Sequence, residues 1–441
     1  MFSAASTTTP AASPLPAAPG IDDLRDARAS LAAHDGAGLS EAELVDHLTA
    51  MEQLKSALAA AQARVTASLA ASRSAREAAR GVPTPRRCRG LGNEVGLARR
   101  ESPVRGRQHL GLALSLAHEL PHTLAALTRG DITEWAATIV ARETAVLSRS
   151  DRARVDAELV DHFGDAGERA LGNLARKIGY RLDPGSALRR VRGAEADRRV
   201  GLRPAPDTMT YLSAHLPVAH GVACLAALTR EADSCRADGD SRTRAQIMAD
   251  TLVERVTGHK TADSTPVSVN LVMTDRSLLG NDAAPAHVEG HGAIPAFLAR
   301  RLVRNAEKAW VRRLYTHPTT GDLIAMDSRA RTFSGLLRQF VVLRDQTCRN
   351  RWCGAPIRHV DHVVRVADDG ETSAYNGQGL CEACNYAKEH AGWRTARPPG
   401  AGHVVETITP TGHRYSSRAP DPPGRSGYPL RVDLTFHDRA A

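Results

Sequence analysis

The sequence predicts an α+β protein: a large, mainly helical N-terminal region with a few strands, followed by a small cysteine-rich domain. Three observations carry this. From about residue 40, apolar residues recur with helical periodicity in segment after segment. After Phe340 that texture gives way to short strand and turn signals, dense in cysteine, histidine and asparagine. Four of the seven cysteines, Cys348, Cys353, Cys381 and Cys384, fall there as two close pairs. A length of 441 residues suits two or three domains. An apolar share of 42% with 24% charged residues argues against wholesale disorder.

Residues 1–20 read as a disordered Ala/Pro/Ser tail, because they have neither a basic start nor a continuous apolar stretch. Residues 21–335 are expected to form the helical region, 336–397 the cysteine-rich domain, and 398–441 a Pro/Gly-rich hairpin and tail. Ser40 and Glu43 make a capping box at the head of a long amphipathic helix over 40–80. Its stripe of Leu44, Leu48, Met51, Leu58, Val65 and Leu69 suits either another helix of the same chain or a second protomer in a homodimer. GVPTPRRCRG, 81–90, breaks the pattern. Further helices are expected at 92–101, 103–118, 121–128, 131–147 (capped by Asp131 and Glu134), 150–163, 166–179, 218–234 and 241–257. Residues 198–203 and 208–216 read as a hairpin, VSVNLVMT (267–274) as a strand, 293–310 as a helix, LIAMD (323–327) as a short strand, and VVETITPTGHRYSS as a second hairpin. No run of about 18 apolar residues exists, so no transmembrane helix is expected. The expected location is cytoplasmic, where thiols stay reduced.

Lys+Arg is 58 and Asp+Glu is 49, a net charge of +9, and only five of the cations are lysine. Arginine forks match phosphate oxygens, which suits a nucleic-acid partner; a GC-rich genome would give the same bias. Between 341 and 395 the charges balance, so the excess sits mostly in the helical region. Two clusters stand out there: Arg86, Arg87, Arg89, Arg99, Arg100, Arg105 and Arg107, and Arg300, Arg301, Arg304, Lys308, Arg312 and Arg313. Each reads as a phosphate-binding patch or as a solvated helix face.

The cysteine pairs have the spacings C-x4-C and C-x2-C. In a reducing compartment this suggests metal before disulfide, and four thiolates at roughly 2.3 Å would fill a tetrahedral Zn²⁺ and leave no open position. Such an ion is structural, stapling a segment too polar to fold on its own core. Between the pairs stands Asp361-His362, with Asn376 further on and Asn385 directly after the last cysteine. Asp361 and Asn385 can each offer an oxygen to a hard cation such as Mg²⁺ or Mn²⁺, and His362 can serve a water as general base. Neighbours on a regular strand face opposite ways. The strand must therefore bulge or end at 361–362, entering a long loop closed by Asn376.

This stretch resembles the HNH endonuclease motif, whose ββα-metal fold holds one catalytic divalent ion between two strands and a helix. The resemblance implies that Asp361 is a metal ligand and His362 the general base. It implies that Asn376 fixes the loop through backbone hydrogen bonds, and that Asn385 takes the place of the usual last histidine, an H-N-N variant. It further implies cleavage of nucleic acid, DNA foremost, with the helix over 382–391 along the phosphate backbone. DTLVERVTG, HVEGHGAIPAFLARRL, RRLYTHPTTGDLIAMDSRARTF and LRQFVVLRDQTCRNRWC are similar to bacterial HNH proteins that carry a long helical domain of unknown function. A zinc-stabilised nucleic-acid-binding protein without catalysis is the alternative.

Glu389, four residues after Asn385, is read as a further ligand or as a surface carboxylate. Lys388 is read as a phosphate contact or a solvated lysine, and His359 as a packing residue. GLGNEVG, 90–96, lacks the spacing and the preceding strand of a dinucleotide loop. His287, Glu289 and His291 read as a turn, because Gly290 and Gly292 oppose a helix.

Overall fold

The computed structural model describes residues 19–258, 271–280, 282–289, 291–305, 333–398 and 403–421. Within them the fold is α+β, helix-rich with four small sheets. The strand expected at 323–327 and the first residues of the one at 267–274 lie outside the described residues. No described helix is long and apolar enough to cross a membrane.

The N-terminal part starts with α1 (Ile21–Ala32) and the 39-residue α2 (Glu41–Ala79). The capping box forms as expected, with Ser40 Oγ accepting from Glu43 N and the Glu43 carboxylate accepting from Ser40 N. The buried stripe of α2 differs from the expected one. Leu48 and Val65 are 67% and 68% exposed, and Ala59, Ala60, Ala67 and Ala70 are buried. Alanine lets the helices over 103–118 and 121–129 approach the α2 backbone closely, which leucine at those places would prevent.

Against α2 pack α3 (Leu91–Ala98), α4 (Pro103–His118) and α5 (Pro121–Arg129). The α3–α4 crossing is tight: a Cβ on Gly106 would lie 2.1 Å from Gly92 O. The glycines of GLGNEVG thus serve helix packing. Leu116, Leu120, Leu127, Val140, Val155, Leu159 and Leu171 fill the core with α6 (Glu134–Glu143), α7 (Arg149–Glu158) and α8 (Glu168–Leu182). The cap of α6 is Thr133, whose hydroxyl accepts from Ala136 N, and not Asp131, which pairs with Arg129. After α9 (Gly185–Ala196) comes the expected hairpin, β1 (Arg199–Pro204) and β2 (Thr210–His215), in the register Leu202↔Leu212. Next are α10 (Val218–Ala237), α11 (Arg244–Thr257), β3 (Leu271–Val272), α12 (Asp275–Leu279), β4 (Ala286–Val288), β5 (Gly292–Ile294) and α13 (Ala296–Asn305). β4 and β5 form a hairpin, with His287 in β4 and His291 in the turn just before β5.

The C-terminal part has α14 (Gly335–Asp345), β6 (His359–His362), β7 (Gly377–Leu380) and α15 (Glu382–Lys388). β6 and β7 are antiparallel in the register Asp361↔Gln378 and His362↔Gly377. α14 seals this pair with Leu337 and Val341, beside Phe333 and Ala374. Buried Arg344 donates to the carbonyls of Ala374 and Gly377, and Asp345 accepts from Gly379 N. β8 (Arg394–Ala396), β9 (Val404–Ile408) and β10 (Arg414–Arg418) form a sheet in the order β10-β9-β8. Arg349 and Arg351 tie β10 to the first cysteine knuckle by donating to the carbonyls of Ser417 and Ser416.

His403 is buried there among Arg344, Arg349 and Arg397, and desolvation first, then the Arg344 charge, push its imidazole down to about 3. Because the folded pKa lies below the unfolded one, this group's stabilising contribution is complete above about pH 6.5 and falls as pH drops toward 3. Between pH 7 and pH 5 the loss is about 2 kcal/mol. His403→Leu is expected to remove that part of the acid sensitivity in paired urea titrations; an equal pH dependence in both proteins would contradict it.

Candidate functional site

The four cysteine sulfurs lie within 4.8 Å of one another, all buried. Cys353 Sγ and Cys381 Sγ are 3.6 Å apart, against about 3.8 Å for the edge of a zinc tetrahedron with bonds of about 2.3 Å. Asn350 Nδ2 donates to Cys384 Sγ at 3.2 Å, the kind of outer contact that orients a thiolate ligand. Hydrogen bonds from the Cys348, Cys353 and Cys384 thiols hold the Cys381 thiol well below its usual range. The cluster can hold a tetrahedral metal ion such as zinc. It also places β7 and α15 relative to the 348–353 knuckle, because Cys381 is the N-cap of α15.

β6 ends at His362, without a bulge, and its alternation persists. The His362 ring faces Phe333 (centroids 4.7 Å apart) and Thr372, whose Oγ1 is 2.8 Å from Nε2. The approach of Phe333 depends on Gly377 across the ladder, where a Cβ would lie 2.7 Å from that ring. Asp361 faces α15. The two side chains still meet at the strand end, with His362 Nδ1 3.7 Å from Asp361 Oδ1. Desolvation is the main force holding the His362 pKa below its usual value, and the Lys388 charge adds to it against the pull of Asp361. The imidazole is therefore neutral at pH 7, with a lone pair to offer.

Asn376 closes the loop after β6. Its Oδ1 accepts from Val364 N, and its Nδ2 donates to the carbonyls of Val364 and Glu371, each at 2.8 Å. Its own carbonyl accepts from Val363 N. Asn385 Oδ1 is buried and has no hydrogen-bond partner among the described residues. A buried acceptor without a donor is costly, and a cation would satisfy it.

Lys388 stands otherwise than expected. It is 5% exposed, neither solvated nor open to a phosphate. Its ammonium binds Asp361 Oδ2 and the His362 carbonyl, pinning α15 to the end of β6. Glu389 is exposed and lies 3.7 Å from Arg365, in the position of a surface carboxylate. His359 packs its ring against Tyr386 at 5.9 Å. Sequence reasoning missed Thr372 and Phe333, which hold the imidazole from two sides; neither carries a local signal. Loss of the hydroxyl in Thr372→Val is expected to lower any His362-dependent rate about 10- to 100-fold, with melting temperature little changed. An unaltered rate would mean that the Thr372 contact does not orient the ring.

The chain belongs to the DUF222 family, described as "Domain of unknown function (DUF222)", which matches residues 45–345. The match ends three residues before Cys348, so the cysteine cluster and the Asp361-His362 pair lie beyond it. The chain is also similar to "Uncharacterized protein Rv3776" of Mycobacterium tuberculosis (strain ATCC 25618 / H37Rv), 27% identical over 362 residues. That alignment covers 71% of this chain and 66% of the relative, just under two thirds of its length. No solved structure matches the chain.

Proposed function

We propose that the C-terminal part is an HNH-type, metal-dependent endonuclease that hydrolyses phosphodiester bonds of nucleic acid, DNA foremost. The observation that carries the reading is the unpartnered, buried Asn385 carboxamide oxygen, one helical turn from Lys388, which itself touches Asp361. Asp361 and Asn385 would hold Mg²⁺ or Mn²⁺, hard ions that take oxygen ligands. When bound, the ion supplies Lewis-acid stabilisation of the charge growing on the phosphate. In the tautomer of His362 whose Nε2–H donates to Thr372 Oγ1, Nδ1, on the Asp361 side of the ring, carries the lone pair that would take the proton of the attacking water. The water oxygen would bond to phosphorus as the bond to the sugar oxygen breaks, and that oxygen would leave as an alkoxide that takes a proton from solvent water. Asn376 keeps the loop from sagging over the imidazole. The four-cysteine centre acts at a distance, by fixing α15.

One observation favours the second reading, a zinc-stabilised protein that binds nucleic acid without cutting: Lys388 already neutralises Asp361. Supercoiled plasmid separates the two. The nuclease converts it to open circles with Mg²⁺ or Mn²⁺ and stops on addition of EDTA. Plasmid that is shifted on a gel but never cut, with either ion, assigns the chain to the second reading.

A further inference from the structure

α3 seats the candidate nuclease helix on the helical region. Asn93 Nδ2 donates to Ala383 O in the first turn of α15. Gly90, in the left-handed region at φ +80°, brings the start of α3 against the chain just beyond α15; a Cβ there would lie 3.0 Å from Trp393 Nε1 and 3.1 Å from His390 Cδ2. Buried Glu94 joins three parts of the chain: one oxygen accepts from Arg73 of α2, the other from Thr411 in the β9–β10 turn.

This seating delivers part of the first arginine cluster to the end of α15. Arg86 and Arg89 are exposed on the loop leading into α3, and Arg107 is exposed on α4 with its stem lying over Gly92. None of the three has an ion pair or side-chain hydrogen bond to the described residues, whereas neighbouring Arg73 and Arg99 are paired with Glu94 and Glu134. The loop is held in one shape: Arg87 Nε donates to Val82 O, and Cys88 N donates to Glu77 Oε2. Arg89 lies near enough to His390 that its charge, after desolvation, helps hold that imidazole below its usual pKa. Arg365 continues the row, donating to Lys388 O at 2.9 Å. The carboxylates nearby are engaged, Glu77 by Cys88 N and Glu389 by Arg365.

We propose that Arg86, Arg89 and Arg107 form a phosphate-binding arm, by which the DUF222 helical region extends the nucleic-acid footprint of the C-terminal site along the duplex backbone. The arm rests on the nuclease reading for its location, and through it the helical region supplies sequence-independent affinity beside the catalytic helix. Guanidinium forks on a pinned loop suit phosphate oxygens, and each contact releases counterions.

The test reads binding on the full chain carrying His362→Ala, so that cutting does not interfere, with a fluorescent duplex of about 30 base pairs and Mg²⁺ over a range of salt. Adding Arg86→Gln, Arg89→Gln and Arg107→Gln is expected to reduce the slope of log Kd against log salt by about 2–3 and to weaken binding at least tenfold near physiological salt. The Arg86→Gln/Arg89→Gln pair, which leaves the packed Arg107 stem in place, is expected to give about two thirds of that change. A control with the same charge loss, Arg142→Gln, Arg169→Gln and Arg192→Gln on α6, α8 and α9, is expected to change the slope by less than about one. Equal effects of the two triple variants, an unchanged slope in the arm variant, or no duplex binding by the full chain would each overturn the arm. Plasmid nicking is read separately on the chain with His362 intact. Nicking with an unchanged slope keeps the nuclease and removes the arm; the expected slope change without nicking keeps the arm and removes the nuclease.

Discussion

Cys381→Ser is expected to release the bound metal and unfold the C-terminal part, while α2 and α4–α8 stay folded. The substitution isolates the sulfur. Cys381 is also the N-cap of α15, accepting from Cys384 N, and serine is an equally good cap; what is lost is one thiolate of four. The apolar cluster around that centre consists of the four cysteines, Leu380, Ala355 and Ala383, far too little to offset the entropy of ordering the knuckles. Structural zinc contributes about 10–16 kcal/mol of apparent binding free energy in small domains, against a total stability of about 5–15 kcal/mol for an ordinary domain. Loss of half of that binding, about 5–8 kcal/mol, already equals the whole stability of a marginal domain. Metal analysis of the wild-type protein should give one zinc per chain, and the variant close to none. Limited proteolysis should then cut the variant near Trp352 and Trp393 and spare the helical core built on Leu116, Val140 and Leu171. Full metal content with an unchanged melting curve would refute the staple.

The two cysteine pairs and the end of the strand at Asp361-His362 are legible in the sequence because their signals are local: fixed short spacings, an abrupt change in composition, and two adjacent polar side chains that an ideal strand would turn to opposite faces. Asn376 makes the loop-fixing hydrogen bonds expected of it. The burial of Lys388 has no signal in the sequence, because burial is a tertiary property. Its sequence neighbours Glu389 and His390 are polar, and only the meeting of α15 with β6 takes its ammonium out of water. The buried stripe of α2 departs from the periodic one for a related reason. Periodicity marked the leucines as the packing face, yet α4 and α5 approach on the alanine side, where close backbone contact is available. GLGNEVG lacks the pattern of a dinucleotide loop, and its use in helix packing has no local signal. Gly92 matters for Gly106 of α4, and Glu94 for Arg73 and Thr411, partners separated from it by as little as a loop and as much as most of the chain.

Replacing His362 with alanine is expected to lower the nicking rate by about 100- to 10,000-fold, the usual worth of a positioned general base, with zinc content unchanged. Asp361 is a poorer probe of the chemistry. Its removal leaves the Lys388 ammonium buried without its counter-charge, a penalty of about 3–5 kcal/mol, so lost activity would be confounded with lost structure. Asn376 has the same defect, since its side chain makes three hydrogen bonds to the loop backbone. The His362 ring packs on Phe333, bonds Thr372 and approaches Asp361 at 3.7 Å, and the ββ pair is held independently by Arg344 and Asp345. The truncation also leaves a hollow the size of an imidazole beside Thr372, so free imidazole in the assay is expected to restore part of the rate. Restoration should increase with the concentration of the neutral imidazole form, because the ring must accept a proton. Plasmid cut by His362→Ala as fast as by the wild type would remove the histidine from the reaction and leave the Asp361–Asn385 pair without a base.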